Sequence, residues 1–211
     1  MTDALPPLSL LETRILGSLL EKQRTVPDTY PLSVNALLAG CNQKTSRNPV
    51  LEVGEREVVA ELESLKEYGL VREVSGSRVS RFEHQLEKVL GVPTQASALL
   101  AVLMLRGPQT AGELRLNSDR LHRFADISAV EAFLAELASR PQQPLVVELP
   151  RLPGARENRW MHLLSGEPVI EASTTGAATP VNAELAELKA RVSALETELA
   201  ELRAIVLAGA A

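Results

Sequence analysis

At 211 residues the chain holds one large domain or two small ones, and 45% hydrophobic residues is ordinary for a globular protein. Only 3% is aromatic, so its core rests on Leu, Val, Ile and Ala, which suits small helical domains better than a β-sandwich. A formal charge of −5 argues against a general coater of nucleic acid, one cysteine excludes an internal disulfide, and no apolar run reaches bilayer length.

The chain opens with Met1 to Pro7, which lacks a basic region followed by an apolar stretch, so a secretory signal is not expected. With a single cysteine, Cys41, the expected compartment is the reducing cytoplasm, with no membrane partner. From Leu10 to Gln23, Leu11, Ile15 and Leu19 share a stripe with Leu16 and Leu20 beside it, the pattern of a helix buried on one side. Ser9 and Glu12 form a capping box at its start. Pro27 and Pro31 enforce a loop, Ser33 caps a short helix over Val34 to Ala39, and Gly40 is its expected stop. After the polar stretch Asn42 to Pro49, Val58, Leu62 and Leu65 predict a third helix over Glu55 to Tyr68. Gly69 then turns the chain into the runs Leu70–Val74 and Arg78–Phe82, which read as a hairpin around Ser75-Gly76-Ser77.

The order then repeats. Thr94 to Leu105 is predicted helical, and Thr110 with Glu113 caps a second helix. Asp126 or Ser128 starts a third, with Val130, Phe133, Leu134 and Leu137 inward, and Leu145–Leu149 and Arg159–Leu164 form a longer hairpin. Three helices followed by a hairpin is the winged-helix order. The expected fold is therefore mainly α with small β-hairpin wings (α+β): a winged-helix domain over 8–90 and a second over 93–165. Residues 166–181, poor in large apolar side chains, read as a flexible linker.

Over residues 182–207 a heptad repeat predicts a coiled-coil helix, with Leu185, Val192, Leu199 and Val206 at a and Leu188, Leu195 and Leu202 at d. In a parallel pair, Glu184 meets Lys189, Arg191 meets Glu196 and Glu198 meets Arg203, all opposite in sign, whereas the antiparallel arrangement sets like charges together. The expected partner is a second copy in a parallel homodimer, held at Leu185, Leu188, Val192, Leu195, Leu199 and Leu202. The same residues also permit a helix folded back on its own domains.

No catalytic constellation stands out. His84, His122 and His162 are scattered singly, and neither metal-ligand spacing nor a phosphate-cradling glycine loop is present, so no enzyme, cofactor or metal is expected. Nucleic-acid binding is the more pointed expectation, yet the third helix carries five Glu against one Arg and one Lys, which repels phosphates from a groove-reading position. Cations sit in loops and wings instead. The candidate contacts are Asn42, Gln43, Lys44, Thr45 and Arg47 in the polar loop, Arg78 and Arg81 in the first wing, Arg120 and Arg123 before the sixth predicted helix, and Arg156 in the second wing. Each has a plainer reading as solvated surface, and Asn42 as a local turn former. Duplex DNA, or another protein bound without DNA, are the further partners these features allow.

The strings Leu11–Lys22, Pro27–Ser33, Cys41–Val50 and Leu105–Arg115 resemble the YceH family of uncharacterised bacterial proteins over roughly residues 8 to 165. The resemblance implies a tandem winged-helix fold and a bacterial source. It implies no assigned activity, and it brings no binding residues.

Overall fold

Local capping chemistry fixes where the helices begin. Ser9 Oγ accepts the Glu12 N–H at 3.0 Å, and the Glu12 carboxylate accepts the Ser9 N–H at 2.7 Å, opening α1 (Leu10–Thr25). A short strand β1 (Leu32–Ser33) leads into α2 (Val34–Cys41), where Ser33 Oγ accepts the Ala36 N–H. The acidic helix α3 (Glu55–Glu67) ends ahead of Gly69, whose φ of +70° carries the chain into β2 (Val71–Val74), and β3 (Arg81–His84) returns. A one-turn helix α4 (Leu86–Leu90) joins this half to α5 (Thr94–Arg106). Thr110 and Glu113 repeat the capping box at α6 (Ala111–Asn117), and Asp126 caps α7 (Ile127–Ala138) by accepting the Ala129 N–H. The second hairpin follows as β4 (Val146–Leu149) and β5 (Arg159–His162).

This computed structural model describes residues 5–74, 79–152, 154–167 and 191. Arg78 lies outside them, as does the expected coiled-coil segment apart from Arg191, with all of Leu185, Leu188, Val192, Leu195, Leu199 and Leu202. Among the described residues the fold is mixed α+β, with seven α-helices and two small antiparallel sheets. No described helix is long and apolar enough to cross a membrane.

Four local expectations change. Leu32 pairs with Phe82 and Ser33 with Arg81, so the first sheet has three strands in the order β1-β3-β2 rather than two. The helix α4 was not foreseen, because five residues are too short to show a helical period. Gly40 does not stop α2; it lies inside the helix, where a Cβ would come within 3.6 Å of Ser18 Cβ. Finally, α1 is not buried on one side only. Every residue from Glu12 to Leu20 is buried, including Thr13, Arg14 and Ser18.

The cause is the neighbour that α1 takes. It packs along α5, which is itself buried from Ala96 to Leu105, so the two halves share one hydrophobic core running from Leu16 and Leu65 to Leu134 and Leu145. The helices meet at Gly17, where a Cβ would sit 2.9 Å from Leu105 Cγ and 3.4 Å from Met104 Cβ. Hydrogen bonds reinforce the junction. Leu8 N–H donates to Leu164 O at 2.8 Å, and the Arg24 guanidinium, from the last turn of α1, donates to Glu87 and Ser97 at 2.7 and 2.6 Å.

Two predictions follow from this packing. Gly17→Leu forces α1 away from α5 and is expected to lower the unfolding free energy by about 2–3 kcal/mol, read by urea denaturation; an unchanged midpoint would mean the helices do not close on this glycine. The second concerns pH. Burial of His162 on β5 depresses its pKa from 6.5 to about 4, and its Nδ1 has no hydrogen-bond partner among the described residues. Above pH 6.5 both folded and unfolded chains carry this ring neutral. As pH falls from there towards 4, the unfolded chain takes a proton that the folded chain refuses, and stability is lost. At pH 5 the ring alone should cost about 2 kcal/mol relative to pH 7.5, and His162→Leu should remove that part of the slope.

Candidate functional site

The side chains of the polar Asn42–Pro49 loop divide into those bound inward and those left to solvent. Arg47 is fully buried. Its Nε donates to Gly40 O at 3.1 Å, and its two terminal nitrogens hold the Glu21 carboxylate at 3.2 and 2.6 Å in a two-pronged ion pair. Burial by itself would raise the Glu21 pKa, but the hydrogen bonds and charge of Arg47, with Lys22 beside it, leave that carboxyl below its ordinary value. A second arginine lies deeper. Arg14 donates to Cys41 O at 3.2 Å and Pro49 O at 2.7 Å, has no carboxylate within ion-pair distance among the described residues, and has its pKa lowered by burial and by the nearby Arg47 charge. The two guanidiniums thus satisfy backbone carbonyls at both ends of the loop, which no sheet or helix could reach.

Asn42 is bound in the same way. Its amide donates to Val53 O and accepts Val53 N–H, both at 2.9 Å, so it closes the loop on itself. The loop also ties to the other half of the chain. Asn48 N–H donates to Leu105 O at 2.8 Å, and Arg106 donates to Ser46 Oγ at 2.7 Å, with Ser46 in the left-handed region at φ +60°. Cys41, adjoining the loop, is fully buried, and burial pushes its thiol pKa up to about 11, which fits a core residue held as the neutral thiol.

The remaining sequence candidates separate cleanly. Gln43 donates within the loop to Thr45 O and accepts from Lys22 at 3.4 Å. Lys44 and Thr45 are exposed, and Lys44 has no partner among the described residues. Arg81 is exposed but commits a terminal nitrogen to Thr29 O and Pro31 O at 3.2 and 2.7 Å, bracing β3 against the loop that carries those carbonyls. Arg120 and the Arg156 guanidinium are exposed and unpaired among the described residues, while the exposed Arg123 lies 3.4 Å from Asp119. Arg47 and Asn42 are therefore parts of the scaffold, whereas Lys44, Arg120 and the Arg156 guanidinium are exposed without an internal partner among the described residues.

Two clefts flank the loop. One, of about 360 Å³, is lined by Ser46, Arg47, Asn48, Arg106, Pro108, Gln109, Glu113, Asn117 and Arg159. The other, of about 260 Å³, shares Ser46, Arg106 and Asn117 and adds Lys22, Gln43, Thr45 and Arg120 among others. The third helices turn acidic faces outward. On α3, Glu55, Glu57, Glu63 and Glu67 are exposed with Arg56, and on α7 Glu131 and Glu136 are exposed without a cation. Sequence reading missed Arg106. At the last residue of an apolar helix, a cation reads as a complement to the helix dipole, and only the fold shows what it faces.

The Arg47–Glu21 pair gives a direct test. Arg47→Met leaves the Glu21 carboxylate beside the core without its partner and is expected to cost about 3 kcal/mol by urea unfolding, towards the lower end for broken buried pairs because Glu21 keeps some solvent. Adding Glu21→Gln should restore part of the loss. A single variant as stable as the natural chain would show the pair to be dispensable.

Comparison with known proteins places this geometry in a family. Residues 8–155 match the family model described as "Protein of unknown function, DUF480". A UPF0502 protein of Dechloromonas aromatica is 74% identical over 208 residues, covering 98% of both chains. A UPF0502 protein of Burkholderia lata is 61% identical over 208 residues, covering 97% of this chain and 88% of its own, and one from Burkholderia pseudomallei strain 668 is 61% identical over 207 residues, covering 96% and 88%. With its matched segment running from α1 through the loop and the first hairpin to β4, and with relatives alike over nearly its whole length, the chain belongs to the DUF480/UPF0502 family of uncharacterised bacterial proteins.

Proposed function

We propose that this protein is a cytoplasmic, non-catalytic, tandem winged-helix protein that associates with duplex DNA through phosphate contacts from its loops and second wing. The observation that carries the reading is where free cations remain once internal bonds are assigned. Lys44, Arg120 and Arg156 are exposed and unpaired among the described residues, and Arg123 is only loosely paired. All sit in loops. The helices that would enter a major groove, α3 and α7, present carboxylates instead. Phosphate contacts fix a protein on a duplex without reading its bases, so this reading expects weak sequence preference. The heptad tail, whose charges favour a parallel pair, would join two such units into a homodimer and double the phosphate contacts. A protein-binding role without DNA is favoured by the acidic outer face of α3 and by Leu116, 72% exposed on α6.

Duplex binding by the full chain across salt concentrations decides between them, with light scattering on the same samples giving the mass. Four phosphate contacts per protomer imply a log–log salt slope of about −3.6 per protomer. Replacing Lys44, Arg120 and Arg156 together by Ala should flatten the slope by about 2.7 per protomer. A chain ending at Gly176 should be monomeric and show about half the slope of the dimer. Absence of binding at low salt, or a slope indifferent to the triple variant, would discard the DNA reading in favour of the protein-binding one.

A further inference from the structure

The larger cleft differs from the loop surface around it in being built from both halves of the chain and in holding two cations, Arg106 and Arg159, that no carboxylate pairs among the described residues. Its floor and walls come from Ser46 and Asn48 of the loop, Arg106 at the end of α5, Asn117 on α6 and Arg159 on β5. Arg106 makes a single side-chain hydrogen bond, to Ser46 Oγ, and Arg159 makes none among the described residues; neither has a carboxylate within ion-pair distance there. Of the lining carboxylates, Glu113 is committed to the Thr110 N–H at 2.8 Å, and in the adjoining cleft Glu21 is held by Arg47. Half-buried cations left without an anion are costly, and a site that keeps them is suited to receive one.

The neutral groups point the same way. The Asn48 side chain has no hydrogen-bond partner among the described residues, and the Ser46 hydroxyl, which accepts from Arg106, retains its own proton to donate. Gln109 and Asn117 are fixed by one another, with Asn117 Nδ2 donating to Gln109 Oε1 at 2.6 Å, which leaves the Asn117 carbonyl oxygen as an acceptor for a ligand hydroxyl. The walls are rigid. Arg159 lies in the β4–β5 ladder opposite Leu149, Asn48 is tied to Leu105, and Arg47, between Ser46 and Asn48, is anchored to Gly40 O.

We propose that this cleft binds a small phosphate monoester, with the dianionic phosphate held between Arg106 and Arg159 and further donors from Asn48 and Ser46. Two guanidiniums match the charge of a monoester near neutral pH, which approaches −2, better than the single charge of a backbone diester. A volume of about 360 Å³ fits a molecule of mononucleotide size and is too small for a duplex. Such a ligand would join the loop of the first half to α5 and β5 of the second, and so act as an effector of their packing. This proposal does not depend on duplex binding, which uses Lys44, Arg120 and Arg156.

Calorimetry on the full chain tests it, with inorganic phosphate, AMP and adenosine at constant ionic strength. Phosphate and AMP should bind with a Kd of about 0.1–1 mM and adenosine should not. Arg159→Gln, which removes no internal bond, should weaken AMP by about tenfold or more while leaving thermal unfolding unchanged, and Asn48→Ala should weaken it by a smaller factor. Arg106→Gln should weaken AMP to an extent similar to Arg159→Gln, but with some loss of thermal stability, because it also removes the bond to Ser46 Oγ. The proposal is overturned if neither phosphate nor AMP binds at about 10 mM, if adenosine binds as well as AMP, or if Arg159→Gln binds like the natural chain. Displacement of AMP by a short duplex would also overturn it, since the cleft would then belong to the DNA-contacting surface.

Discussion

The contact on which the rest of this structure depends is the close approach of α1 and α5 at Gly17. Each helix is buried all round through its middle turns, α1 with Thr13, Arg14 and Ser18 among its buried residues and α5 from Ala96 to Leu105. By packing side by side they cover each other, and the core of one half becomes the core of both. Glycine is needed at the crossing because even a methyl group would meet Leu105. Polar bonds between the halves flank this contact: Arg24 reaches from α1 to Glu87 and Ser97, Asn48 reaches Leu105, and Arg106 reaches Ser46.

The same contact explains the polar loop. Residues 42–49 cross the edge of the α1–α5 pair, where backbone carbonyls must be satisfied without a sheet or helix to do it. Arg14 and Arg47 supply those donors, and a guanidinium suits the task because its planar fork serves two acceptors at once. Keeping two buried arginines close together raises the cost of both charges. Glu21 offsets it for Arg47, but Arg14 has only carbonyls, which is why burial and Arg47 lower its pKa. Side chains that looked suited to phosphate contact are, for the most part, what holds the loop in one shape.

The sequence made the helices legible because caps and periodicity are local. Ser9–Glu12 and Thr110–Glu113 announced two helix starts, and Gly69 announced the turn into the first hairpin. It did not make legible the features that need a partner far along the chain. Buried Arg14 sits at a helical position that reads as surface, β1 is two residues whose identity as strand comes only from Phe82 and Arg81 opposite, and Gly40 looked like a stop because nothing local reveals Ser18 against it. For the candidate site the division is the same. The loop could be singled out by composition, and Lys44, Arg120 and Arg156 could be named as cations, but which arginines were already bound inside the protein could not. Arg47 and Arg106 exchanged roles for that reason, one passing from ligand contact to scaffold and the other from helix end to cleft wall.

The charge distribution carries a further consequence for how any anion would be met. The acidic faces of α3 and α7 and the basic surroundings of the loop belong to the same compact unit, so the chain's small net charge conceals a strong separation of sign. A phosphate approaching α3 or α7 is repelled, and one approaching the loop meets Lys22, Lys44, Arg106 and Arg120 with Glu21 already neutralised by Arg47. Salt screens such repulsion between exposed groups over about 10 Å, so its influence on an anion at the loop would weaken as ionic strength rises. On the proposed reading a ligand at the loop face would lie away from α3 and α7, and its selectivity would have to come from shape and phosphate charge at the cleft.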